Sequence, residues 1–113
     1  MRFENANAFY VLLILTLLDS GPAFGDEIGP ALSDRSGGAF EPKDGRVHAV
    51  LLQLERAGFV TSLWRQAVRR RRLYEITGRG RAERQSLQAT LRQQVDSLDR
   101  LFSAVTDGIS RAS

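Results

Sequence analysis

Four consecutive arginines, Arg69 to Arg72, carry the clearest chemistry in this sequence. They stand between two β-like segments, Phe59 to Trp64 and Leu73 to Thr77, and mark the basic tip of an expected hairpin. Guanidinium groups suit phosphate, whose oxygens they meet as paired hydrogen-bond donors and as positive charge. Charge along the chain is uneven in the same sense. Met1 to Gly45 holds three Lys/Arg against seven Asp/Glu, whereas Arg46 to Arg84 holds ten against three. The formal net charge of +3 therefore hides a basic middle behind an acidic first third. Such a localised excess is an electrostatic footprint for a polyanion. A solvated charged loop would read the same in isolation, but the run follows a short amphipathic helix, and that placement favours phosphate.

Other chemistries find little support. The chain has no Cys and a single His, His48. That excludes a disulfide framework and a thiolate nucleophile, and argues against a transition-metal site. No Ser-His-acid constellation presents itself, so the expectation is a non-enzyme with no cofactor and no metal. At 113 residues there is room for one modest core. The apolar run Ala8 to Leu18 resembles the hydrophobic stretch of an export signal. It is too short to span a bilayer, and no A-x-A-like cleavage site follows it. The preferred reading is a buried first helix in a cytoplasmic protein, with no membrane partner, apolar nearly all round because several neighbours cover it.

The elements that must position the arginines follow from periodicity. Asn5 or Asn7 is expected to cap a first helix running to about Asp19. A second helix spans about Phe24 to Ser33 with Ile28 and Leu32 inward, and Gly29-Pro30 predicts a kink or a late start. The third helix spans about Asp44 to Ala57 and stops at Gly58, its core face being Val47, Val50, Leu51 and Leu54. The opposite face carries Gly45, Ala49, Leu52 and Arg56, flanked by Arg46, His48 and Gln53. Small residues beside Arg, His and Gln would let this helix lie in a major groove, although Leu52 would leave an apolar side chain toward the DNA. The fourth helix starts after Thr77, a candidate cap, and runs to about Val105. Its seam, Leu87, Leu91, Val95, Leu98, Phe102 and Val105, is coiled-coil-like and wants a second copy of itself or the first helix.

Helix, then basic hairpin, is how a winged helix-turn-helix grips DNA. The expected fold is therefore mainly α with a small β-hairpin. A winged-helix DNA-binding domain would span 4–78 and a C-terminal dimerisation helix 79–107. Arg46, His48, Ala49 and Gln53 would read bases, Lys43 would assist, and Arg69, Arg70, Arg71 and Arg72 would meet phosphates or the minor groove. Trp64 and Tyr74, on facing strands, are expected to pair across the hairpin.

These residues also resemble a family. Phe24 to Ile28, Gly45 to Val60, Trp64, Tyr74 to Thr77 and Gly80 follow the order and spacing of the PadR family of winged-helix transcriptional regulators. Leu51, Leu54, Glu55, Gly58, Phe59 and Val60, joined to Tyr74, Thr77 and Gly80, form the most specific stretch. The resemblance implies a dimeric repressor whose last helix dimerises and which a small aromatic or amphipathic effector releases from a pseudo-palindromic operator. His48 and Asp26 stand where the family usually has Tyr, and Lys43 where Ser usually caps the third helix; Asp44 would substitute as that cap. Candidate effector contacts are Phe9, Leu12 and Leu15 with Leu98 and Phe102, whose helical spacing equally suits core packing. His48 near phosphate would add one contact when protonated, though a neutral hydrogen-bonding role is preferred. The competing reading keeps the fold as a protein-interaction or ligand-binding module without operator recognition.

Overall fold

The apolar run that opens the chain becomes the helix around which everything else packs. The computed structural model describes residues 5–43, 45–66 and 69–112. Within them α1 (Asn5–Asp19) buries Val11, Ile14, Leu15 and Leu18 almost completely. It packs against α2 (Gly25–Arg35), α3 (Arg46–Arg56), β3 (Arg70–Ile76) and α4 (Gly78–Ala112). Contact on so many sides is why its sequence shows little amphipathic contrast. Each such side chain contributes about 1.5–3 kcal/mol over its exposed state. Asn5 and Asn7 both lie inside this helix, so neither is its cap; the Asn7 side chain is used across the fold, toward α3.

In α2, Ile28 and Leu32 face the core. The helix starts at Gly25 and continues through Pro30, so the late start expected from Gly29-Pro30 does not occur. Pro30, the sixth of its eleven residues, is exposed, and its missing donor costs one intrahelical hydrogen bond. Helix α3 buries Val50, Leu51 and Leu54, with Val47 packed at the edge of the core. Its N-cap is Gly45; Asp44, the expected capping residue, lies outside the described residues. At its end Gly58 takes φ +81°, which an L side chain disfavours. The Phe59 and Gly58 amides then donate to the Leu54 and Glu55 carbonyls at 2.9 and 3.1 Å, closing a Schellman motif. The chain thereby leaves α3 directly into β2 (Val60–Gln66).

The sheet is antiparallel in the order β1-β3-β2, with a two-residue β1 (Ala23–Phe24) that the sequence did not announce. The register corrects two expectations. Strands β2 and β3 are longer than expected, so Arg70, Arg71 and Arg72 belong to β3 and do not form the tip. Ser62 stands opposite Tyr74, and Trp64 opposite Arg72, so the two aromatics are diagonal neighbours instead of a direct pair. Pairing extends into the arginine run because Trp64 offers a ring for guanidinium stacking: Arg70 and Arg72 lie 4.4 and 5.1 Å from its centroid.

Thr77 links sheet to α4. Its hydroxyl donates to the Gly58 carbonyl at 2.8 Å, and the Gly80 amide donates to its oxygen at 3.0 Å, as an N-cap should. A side chain at Gly80 would overlap the Phe59 carbonyl oxygen and lie 2.8 Å from Ile76 Cγ1, so only glycine lets α4 start this close to the hairpin. Arg81 and Arg84 reach Asp19 of α1 at 3.0 and 3.2 Å. Leu87 packs on the core and Leu91 is half-buried. Farther on, α4 leaves the body and continues to Ala112, well past the expected end. Its 35 residues span about 52 Å, most of the 67 Å long axis of the molecule.

Candidate nucleic-acid interface

Helices α2 and α3 and the β2–β3 hairpin enclose a cleft of about 660 Å³. Val47, His48, Trp64, Tyr74 and the four arginines contribute to its walls. Tyr74 is buried at its floor, and burial pushes its phenol pKa upward, so it is neutral there. Cations therefore line one wall of an open depression, with rings between them.

The exposed side of α3 carries Ala49, Leu52 and Arg56, with His48 exposed on the flank toward the cleft. Arg46 and Gln53 occupy the other flank, toward α1. Arg46 donates to Asn7 Oδ1 at 3.3 Å and lies 5.1 Å from the Tyr10 ring, while Asn7 Nδ2 donates to Gln53 Oε1 at 3.2 Å. One asparagine thus bridges two of the residues expected to read bases. Lys43 is exposed on the cleft rim, where its amide donates to the Tyr10 hydroxyl at 3.2 Å.

The arginine run divides into unlike members. Arg69 Nη2 lies 2.6 Å from Asp26 Oδ2. Arg71 Nη2 meets Asp26 Oδ1 at 2.9 Å and Glu27 Oε1 at 2.6 Å, and its guanidinium carbon sits 4.0 Å from the Phe24 ring centroid. Its hydrogen bond to Arg71 holds the Asp26 carboxyl below the usual carboxylate range. Arg72 donates to Ser62 Oγ at 2.7 Å and lies 3.5 Å from Glu55. Arg70 has no carboxylate partner among the described residues and rests on Trp64. Arg65, exposed opposite Arg71 on β2, adds a cation that the sequence reading missed; strand alternation around Trp64 is the signal for it.

The fourth-helix seam splits as well. Beyond Leu91, Val95, Leu98, Phe102 and Val105 are all exposed, Leu98 by 53% and Phe102 by 67%. Leu101 and Ile109 extend that stripe, and their three- and four-residue spacing from its members was legible in sequence. Of the remaining candidate effector contacts, Phe9 is exposed, Leu12 half-buried and Leu15 fully in the core. The larger cleft is formed by other elements. A second cavity of about 360 Å³, beside Leu17 of α1, Pro22, Ala31 and Leu73, includes none of these candidates either. Among the described residues no helix is long and apolar enough to cross a membrane, and no group of acidic and His side chains could hold a metal ion.

Two helices feeding a hairpin with a cation-lined face, and a long helix behind them, define a winged helix-turn-helix protein. The family model of the transcriptional regulator PadR-like family matches residues 14–86, and the chain belongs to that family, one of regulators and not of enzymes. Solved structures agree on the fold. A transcriptional regulator from Clostridium thermocellum superposes with a TM-score of 0.78 at 20% identity, covering 82% of this chain and 92% of its own. A PadR family regulator from Eggerthella lenta gives 0.74 at 22%, covering 81% and 80%. Bacillus subtilis PadR, in complex with operator DNA, gives 0.64 at 22%, covering 69% of this chain and 45% of its own. No curated protein matches the chain.

Proposed function

We propose that this regulator acts in the cytoplasm as a homodimeric repressor that binds a pseudo-palindromic operator. The observation that carries the reading is the cation-lined cleft beside the exposed face of α3, in a fold whose Bacillus subtilis relative is in complex with operator DNA. His48 and Ala49 meet base edges directly, and Arg46 and Gln53 do so from the α1 flank once Asn7 yields them. Lys43 and the wing arginines Arg69, Arg70, Arg71 and Arg72 supply phosphate contacts. The winged-helix unit corresponds to 4–78 and the dimerisation helix to 79–107. The distal stripe of α4, from Val95 to Val105, pairs with a second copy, because an apolar face of that length gains most by burial against its like. Leu87 and Leu91 seat the same helix on its own domain. A small aromatic or amphipathic effector enters beside Phe9, Leu12, Leu98 and Phe102, with Leu15 behind them as core, in a pocket that the second copy completes.

Fluorescence anisotropy against the duplex just upstream of the protein's own gene, with a scrambled duplex as control and a salt series, tests the reading. With about eight phosphates neutralised by a dimer, log K should fall with log[salt] at a slope near −7. Tighter binding to the upstream duplex supports an operator. Weak, equal binding with a slope shallower than about −3 favours instead a protein-interaction module, a reading to which exposed Leu52 and Leu63 lend their surface.

A further inference from the structure

We propose that Asp26 and Glu27 serve as built-in stand-ins for DNA phosphate, holding Arg69 and Arg71 of the wing until DNA takes those guanidinium groups from them. The proposal rests on the DNA-binding reading above and adds what governs the strength of that binding. A carboxylate and a phosphate offer a guanidinium the same partner, a pair of anionic oxygens in hydrogen-bonding geometry. Asp26 already uses both of its oxygens in this way, one on each arginine, and Glu27 takes a second contact with Arg71. The exchange is thus like for like, and no new chemistry has to be created when DNA arrives.

Energetics favour exchange over a permanent clamp. Arg69 is 71% exposed and Asp26 46%, and ion pairs so open to water contribute little. Phosphate on a polyelectrolyte competes easily with a bond of that strength. Arg71 is only 25% exposed and is stacked on Phe24, so its stem stays in place and its head needs only to turn. The carboxylates lose little when abandoned. Both lie in the first turn of α2, where the helix dipole favours negative charge and solvent reaches them. In the free protein, however, they cancel two positive charges on the face DNA must approach. Arg70, on its ring, has no such counter-ion among the described residues. The latch thereby lowers sequence-independent attraction, which is set by available charge.

The test compares the full-length protein with its Asp26→Asn/Glu27→Gln variant, isosteric and neutral, on the upstream and scrambled duplexes across a salt series. The variant should bind both duplexes about three- to tenfold more tightly at low salt, with a slope steeper by about one to two units. Trp64, the single tryptophan, packs under Arg70 and Arg72 and reports the wing's integrity through its emission without DNA. Unchanged emission with unchanged or weaker binding overturns the proposal. A shifted emission in the variant overturns it too, since the carboxylates would then be anchors of the wing. Wild-type binding without a gain in the variant removes the latch alone; no binding by either protein to either duplex removes the DNA-binding reading with it.

Discussion

The wing and the distal half of α4 are both exposed, yet they satisfy their side chains in opposite ways. In the wing, three of four consecutive arginines find carboxylates within the same chain, and Trp64 covers the fourth. On α4 the apolar side chains of the stripe from Val95 to Ile109 are each more than half exposed. Charges can be met by water, by a carboxylate or by a phosphate at similar cost, so a cationic surface can wait in a stable form and trade partners. An apolar stripe has no such substitute in water. On the proposals above, the wing is a surface of exchangeable contacts, and distal α4 is one that gains from a permanent neighbour.

The largest effect should come from breaking the second of these. Replacing Leu98 and Phe102 together by Glu places two charges on the stripe without touching the winged-helix core. Analytical ultracentrifugation should show the proposed dimer for the wild type and a monomer for the variant, with the thermal midpoint of the domain nearly unchanged. Operator affinity should fall about 100-fold or more as the two half-sites lose their linkage. A variant that stays dimeric would show that the stripe is not the dimer contact.

A smaller effect is expected where the two regions join. Gly80→Ala forces a Cβ onto the Phe59 carbonyl and Ile76, and should destabilise the fold by about 2–3 kcal/mol in urea unfolding. Gly78→Ala, two residues earlier and facing open space, is the control and should be neutral or slightly stabilising. Equal effects at both positions would mean that α4 and the hairpin are not held at this contact.

The smallest effect concerns the wing's internal pairs. Asp26 is held below its ordinary value of 3.8 by Arg71, so its contribution is fully present above that pH and lost as pH falls through the lower folded value. Denaturation midpoints compared between wild type and Asp26→Asn should agree on this group's contribution from neutral pH to about 5 and differ in slope only below 3.8. A divergence that begins near neutral pH would assign the pH response to some other group.

Much of this molecule was legible from local pattern. The α3 core face, the Gly58 stop, the Thr77 cap and the apolar seam of α4 depend on residues three or four apart, or on backbone geometry that few residue types permit. The amphipathic helix followed by a basic hairpin likewise gave the fold class. The partners of the wing arginines were hidden, because Asp26 and Glu27 lie more than 40 residues away in sequence. Asn5 or Asn7 was read as a cap because cap chemistry is local, whereas the bridge from Asn7 to Arg46 and Gln53 exists only once α1 crosses α3.

The sequence by itself thus determined the four helices, the hairpin, their order and the family, since helix and strand periods, caps and stops are properties of neighbouring residues. Tertiary structure alone decided which cations are engaged, that β3 absorbs most of the arginine run, and where the α4 seam passes from covered to bare. Those outcomes depend on distances between segments far apart in the chain. Such distances are set by the packing of the whole core around α1, and no local pattern encodes them.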